Sequence, residues 1–167
     1  NIIVALDQID KGNASLDDEV CFTPDTAYLK GSWLNVKHGD CFTLETLLKS
    51  EIIYSANNAA YLVAKYIGKG DIEKFVALMN EKAQELGMTD TVFYTPAGLP
   101  TSMTGKPMDI STAYDLYLMG RKASEDDRIK EWSSQLQLEL PNPNGDQVIY
   151  KNRNALLYRH GIYGLKT

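Results

Sequence analysis

Residues 50–68 read SEIIYSANNAAYLVAKYIG. Two apolar runs flank four small residues, Ser55, Ala56, Asn57 and Asn58. Each run has helical spacing, with Leu44, Leu47 and Leu48 leading into the first and Ala59, Ala60, Leu62, Val63, Tyr66 and Ile67 forming the second. A single continuous helix would place a hydroxyl and two carboxamides in its middle, where such side chains compete with the backbone for hydrogen bonds. The pattern therefore predicts two helices meeting at a polar corner, and it raises the question of what that corner is for. Taken alone, Ser55 reads as a helix cap and Asn57 as a turn former.

The rest of the chain fits around this pair. The spacing predicts a helix over 2–10 with Ile2, Ala5, Leu6 and Ile9 on one face, ended by Gly12-Asn13. Residues 19–37 read as short strands and loops, including SWLNVK, followed by a turn at His38-Gly39-Asp40. Thr43 is placed to cap the helix running into the corner, which continues beyond it from about Asn58 to Ile67. Gly68-Lys69-Gly70 breaks the chain. Asp71 then caps the clearest helix, with Ile72, Phe75, Val76, Met79, Ala83 and Leu86 at helical spacing and Gly87 closing it. TVFYTPAGLP reads as a short strand and tight loop. Thr112 with Asp115 resembles a capping box, and residues 126–132 form a further short helix. QLQLELP alternates and predicts a half-buried strand with Leu136, Leu138 and Leu140 inward. NPNGD turns it into QVIYK, and the terminal GIYGLKT reads as another strand.

Helices inserted between strands, with an all-helical middle, indicate an α/β chain of the α+β kind. The 167 residues, 44% hydrophobic and 23% charged, suffice for one domain with a substantial core. A net charge of -5 without a basic stripe argues against nucleic acid. No apolar run approaches the roughly 18 residues of a membrane span. NIIVALDQIDKG has no signal-peptide organisation and reads as the middle of a helix, which implies a natural chain that starts earlier. Cys21 and Cys41 sit in the short pieces VCF and CFT. If those pair antiparallel, one disulfide is compatible with the sequence; two packed thiols are the alternative. With His38 and His160 as the only histidines, the spacing matches no zinc pattern, and neither a metal nor a cofactor is expected.

Candidate chemistry narrows quickly. A histidine-dependent serine hydrolase needs a carboxylate-oriented imidazole, and both histidines lie in loops. There is no G-x-S-x-G elbow and no G-x-x-x-x-G-K-[ST] phosphate loop. Serine can also be activated by lysine. Ser55-Ala56-Asn57 has the S-x-N form, and Lys166-Thr167 begins a K-T-G form; these are two of the three motifs of active-site-serine penicillin-binding enzymes.

With these motifs in view, the chain resembles the low-molecular-mass penicillin-binding proteins that are serine-type D-alanyl-D-alanine carboxypeptidases. TLETLLKSEIIYSANNAAYLVAKYI is similar to the family's helix-corner-helix. FVALMNEKAQELGMTDTVFYTPAGLP, STAYDLYLMGRKA and NRNALLYRHGIYGLKT resemble three further family segments. Asn58 departs from the family's usual Asp. The resemblance implies a β-lactamase/transpeptidase-like fold spanning 1–167, with a helical lobe at about 43–132 and sheet strands at about 135–167, incomplete at both ends. It implies that Ser55 relays a proton and that Asn57 offers its amide to the substrate peptide bond and to a catalytic lysine. Lys166 supplies positive charge near the substrate carboxylate and Ser55, and Thr167 donates a hydroxyl to that carboxylate.

The third motif, S-x-x-K, carries the nucleophile and its lysine base, and no serine of this chain has lysine at the third position after it. The family pattern places that motif just before IIVAL, so the nucleophile is expected outside these residues, and the 167 residues alone are expected to be inert. The implied partners are peptidoglycan stem peptides ending in D-Ala-D-Ala and β-lactam antibiotics, with no nucleic acid and with any membrane anchor in segments not present here. The implied location is extracytoplasmic, which is compatible with a Cys21–Cys41 bridge. Two alternatives remain. One is a class A-like β-lactamase, for which Glu125 or Glu131 would have to activate water. The other is an inactive paralogue that only binds cell-wall peptides.

Overall fold

The computed structural model describes residues 1–29, 31–159 and 161–166. Lys30, His160 and Thr167 lie outside the described residues. Helix α1 spans Ile2–Asp10, and strand β1 (Glu19–Cys21) leads to a single turn, α2 (Pro24–Ala27). A loop then reaches β2 (Cys41–Thr43), which pairs antiparallel with β1 so that Cys21 faces Cys41. Those two cysteines are joined in a disulfide with Cα atoms 4.0 Å apart. Of the two possibilities the sequence leaves open for VCF and CFT, the antiparallel pair with its disulfide is the one formed, and the thiols are not separate.

The two helices expected around the polar corner are α3 (Leu44–Tyr54) and α4 (Asn57–Ile67). Thr43 caps α3 by accepting from the N–H of Thr46 at 3.2 Å. Asp71 does the same for α5 (Ile72–Glu85) through the N–H groups of Glu73 and Lys74. A single turn, α6 (Thr101–Thr104), precedes α7 (Ala113–Glu125) and α8 (Asp127–Ser133). Thr112 accepts from the N–H of Asp115, but the reciprocal half of a capping box is absent. The buried Asp115 carboxylate instead accepts from Asp90 N–H and the Thr91 hydroxyl, tying α7 to the loop after α5.

The core is built where α3 and α4 cross. Leu44, Leu47, Leu48 and Ile53 of α3 and Ala59 and Val63 of α4 are fully enclosed, with Leu6 of α1, Phe22, Leu34 and Trp132 of α8 around them. The hairpin β3 (Gln137–Pro141) and β4 (Gln147–Lys151) closes one side through Leu140 and Tyr150. Arg128 of α8 makes a forked ion pair with Asp10 at 2.7 and 2.8 Å and a second contact with Asp126, fastening α8 to the end of α1. No described helix is long and apolar enough to cross a membrane.

Four expectations about strands fail in whole or in part. SWLNVK is not a strand. Its Leu34 and Val36 are buried and alternate with exposed Trp33, Asn35 and Lys37, yet side chains take the place of a partner strand. Asn58 accepts from Leu34 N–H at 2.9 Å and donates to Leu34 C=O at 3.0 Å, while Tyr150 Oη accepts from Asn35 N–H. Leu136 is 63% exposed because it precedes β3, in the turn leaving α8; Leu140 is the buried leucine of that strand. The segment 161–166 is not a strand either. It makes no ladder among the described residues and runs through turns closed by Tyr158 N–H on Ile162 C=O and Ile162 N–H on Arg159 C=O. TVFYTPAGLP contributes only an isolated bridge, Val92 to Ile110.

Candidate active site

The corner between α3 and α4 turns on Ser55. Its backbone is left-handed, φ 64° and ψ 39°, a conformation that costs a non-glycine residue about 1–2 kcal/mol. The turn is closed by Ser55 N–H on Glu51 C=O at 3.1 Å and Ala56 N–H on Ser50 C=O at 3.3 Å. Reversing the chain at this point leaves the Ser55 side chain half-buried at the surface of the helical pair. Asn57 opens α4, its N–H donating to Ser32 C=O at 2.7 Å. Gly31 passes so close that a Cβ there would lie 2.5 Å from Asn57 Nδ2, so a side chain at residue 31 would displace the Asn57 amide.

Lys166 reaches this corner from the other end of the chain. Its ammonium donates to Ser55 Oγ at 2.8 Å. Two asparagines prepare the approach. Asn152 donates to the carbonyls of Ser133 and Gln135 at 3.1 and 2.8 Å, and Asn154 Nδ2 contacts Gly164 C=O at 3.4 Å. Gly164 lies against α8, where a Cβ would fall 2.5 Å from Ser133 Oγ. Leu165 packs on the main core. Turns and side-chain anchors therefore position Lys166, where the sequence had indicated a strand.

The surroundings are electropositive at the mouth and apolar behind. Arg153 stacks on the Tyr54 ring, 4.6 Å from guanidinium carbon to centroid, and donates to Ser32 Oγ at 3.0 Å. Burial of the ammonium pulls the Lys166 pKa below that of an ordinary lysine; the Glu51 carboxylate opposes this, and Arg153 acts in the same sense as burial. The residue as a whole is exposed, and its ammonium meets Ser55 at the surface of the helical pair. Burial also pushes Glu51 up to about 7, against the opposing charge of Lys166.

Of the residues expected to form the site, Ser55, Asn57 and Lys166 come to one corner. Thr167 lies outside the described residues. His38 is exposed in its turn, as its sequence setting implied; His160 is not among the described residues. Glu125 and Glu131 are both exposed, and Glu125 pairs with Lys122 at 3.2 Å, so neither is set to activate a water at Ser55. Sequence reasoning missed Arg153, Ser32, Gly31 and Glu51. Arg153 was visible only inside a segment matched as a whole, and nothing in the spacing of the other three connects them to the site.

Asn58 explains its own departure from the family's usual aspartate. It is fully buried and uses its amide both to donate and to accept against the Leu34 backbone. An ionised carboxylate could only accept.

Comparison with known proteins identifies the family. The family model described as D-alanyl-D-alanine carboxypeptidase matches residues 2–167. The chain is 33% identical over 166 residues to D-alanyl-D-alanine carboxypeptidase DacB2 of Mycobacterium tuberculosis, covering 99% of this chain and 53% of that protein. It is 29% identical over 167 residues to D-alanyl-D-alanine carboxypeptidase DacF of Bacillus subtilis, covering 99% of this chain and 41% of that protein. Among solved structures, penicillin-binding protein 6B of Escherichia coli superposes with a TM-score of 0.84 at 30% identity, over 99% of this chain and 52% of that one. The chain thus spans about half the length of these relatives, and its α+β architecture is that of penicillin-binding proteins.

Proposed function

We propose, on the premise that this chain belongs to the D-alanyl-D-alanine carboxypeptidase family, that the protein carrying it trims the terminal D-alanine from peptidoglycan stem peptides through a penicillin-sensitive acyl-enzyme. The observation that carries the reading is the 2.8 Å hydrogen bond from Lys166 Nζ to Ser55 Oγ. A serine hydroxyl that accepts from an ammonium keeps its own hydrogen to donate, so it can pass a proton onward.

In the reaction, the nucleophilic serine oxygen bonds to the carbonyl carbon of the penultimate D-alanine. The bond from that carbon to the terminal nitrogen breaks, and the departing amine takes up the proton relayed through Ser55. Water then cleaves the ester. Asn57 orients the substrate peptide bond. Lys166, with Arg153 nearby, attracts the terminal carboxylate, and Thr167 donates its hydroxyl to the same group. The nucleophile belongs to an S-x-x-K element that none of the serines here forms. The 167 residues alone are therefore expected to remain unlabelled by penicillin.

The names of the relatives support the substrate class: two are carboxypeptidases of D-alanyl-D-alanine and one binds penicillin. We place the protein outside the cytoplasmic membrane, where its substrate lies and where the Cys21–Cys41 bridge persists. The test is acylation of the full-length protein by a fluorescent penicillin, together with release of D-alanine from a D-Ala-D-Ala peptide. Absence of both from a folded full-length protein rejects the reading in favour of a binding-only paralogue.

A further inference from the structure

The helix that delivers Ser55 carries a carboxyl group where an apolar side chain would be expected. Glu51 lies one helical turn before Ser55 on α3, between the enclosed leucines of that helix and Ile52-Ile53. It is only 8% exposed, and its Oε2 has no hydrogen-bond partner. Leucine or isoleucine would fill the position without the desolvation cost of a carboxyl group. Its setting is a cavity of about 390 Å³ bounded by the start of α1, α3, one face of α7, and Leu165-Lys166. The walls are largely apolar, with Ile2, Ile3, Leu116 and Met119 among them. Glu51 and Lys166 are the two charged side chains among its described lining residues.

We propose that Glu51 is a positioning residue for Lys166, its buried carboxylate facing the ammonium across this cavity and holding it toward the Ser55 hydroxyl. With Glu51 buried, the attraction between the two charges is stronger than between two fully hydrated groups. Ser55 Oγ, which accepts from the ammonium, and Glu51 lie one helical turn apart at the end of α3, so both draw Lys166 toward that helix. The mutual influence of the two groups on each other's protonation agrees with this geometry: Glu51 raises the affinity of Lys166 for its proton, and Lys166 lowers that of Glu51. The charged side chain facing Glu51 among the described lining residues is Lys166. From α7 and α8 the cavity receives only uncharged residues, Leu116, Met119, Gly120, Ala123 and Ile129. Lys166 additionally feels Arg153. Because Glu51 titrates near neutrality, the hold on Lys166 strengthens as pH rises through that range.

The role in catalysis rests on the carboxypeptidase reading, but the contact itself can be tested without substrate. The carbon-13 chemical shift of Lys166 Cε, followed from neutral to alkaline pH, reports its protonation. In Glu51→Gln, which keeps shape and removes charge, the Lys166 midpoint is expected to fall by about one pH unit, and in Glu51→Asp to return toward wild type. An unchanged midpoint in folded Glu51→Gln overturns the proposal. Should that variant not fold, Lys166→Met supplies the reciprocal measurement. The Glu51 side-chain carboxyl resonance is then expected to titrate at higher pH than in wild type, and no change overturns the proposal equally. In the full-length protein, the pH profile of penicillin acylation should shift with the Lys166 midpoint in Glu51→Gln. Loss of acylation from the wild-type protein, with the Lys166 shift intact, would reject the enzymatic reading and leave the contact standing.

Discussion

The ammonium of Lys166 donates to the hydroxyl of Ser55 across 2.8 Å, although 111 positions of sequence separate them. The proton relay of the proposed chemistry uses this contact. It depends on the left-handed turn at Ser55 and on the turns and asparagine anchors that bring the last described residues back to α3.

The close approach of Gly31 to Asn57 gives the first expectation. Gly31→Ala meets a left-handed backbone, φ +99°, and Asn57 Nδ2 at 2.5 Å. Acylation by penicillin in the full-length protein should fall at least about tenfold, the scale expected when a substrate-orienting group is displaced. Gly145→Ala, at φ +87° in open space, serves as the control. It carries a similar backbone penalty of about 1 kcal/mol and should leave acylation unchanged.

Glu51 makes stability fall as pH rises. Its ordinary value of 4.5 is pushed up to about 7 in the folded chain, so the native state holds its proton more tightly than the unfolded one. The favourable contribution is complete below about 4.5 and is lost progressively up to about 7, by on the order of 3 kcal/mol. Glu51→Gln should remove this slope and be more stable than wild type at mildly alkaline pH, as measured by urea titration at two pH values.

Asn58 holds the 31–37 loop that flanks the site. Asn58→Leu preserves approximate volume and leaves Leu34 N–H and C=O without partners in a buried setting. The expected cost is about 2–4 kcal/mol. Denaturant titration checks it, and hydrogen exchange at Leu34 N–H should accelerate most.

Reduction of Cys21–Cys41 opens a loop with a separation of 20 residues. Chain-entropy reasoning gives a loss of about 3 kcal/mol, or about 6–12 °C in Tm for a chain of this size. Thermal unfolding with and without a thiol reductant measures it.

Local signals carried much of the architecture. Thr43 and Asp71 cap the helices they were expected to cap, and NPNGD turns β3 into β4, because caps and hairpin turns are decided within a few residues. The Ser55-Ala56-Asn57 corner was legible as a helix break for the same reason. SWLNVK and GIYGLKT were misread as strands because a strand is defined by its partner, and here Asn58, Tyr150 and Asn154 supply the contacts that a neighbouring strand would make. Glu51 was invisible for a related reason. On the helix it is one position among several, and its meaning appears only when Lys166 arrives from the far end of the chain.

The most direct test of the central claim is the rate of penicillin acylation in the full-length protein carrying Ser55→Ala. If the hydroxyl held by Lys166 relays the proton, acylation should drop about 100- to 10,000-fold while the protein unfolds at the wild-type temperature. Wild-type acylation by folded Ser55→Ala would contradict the account.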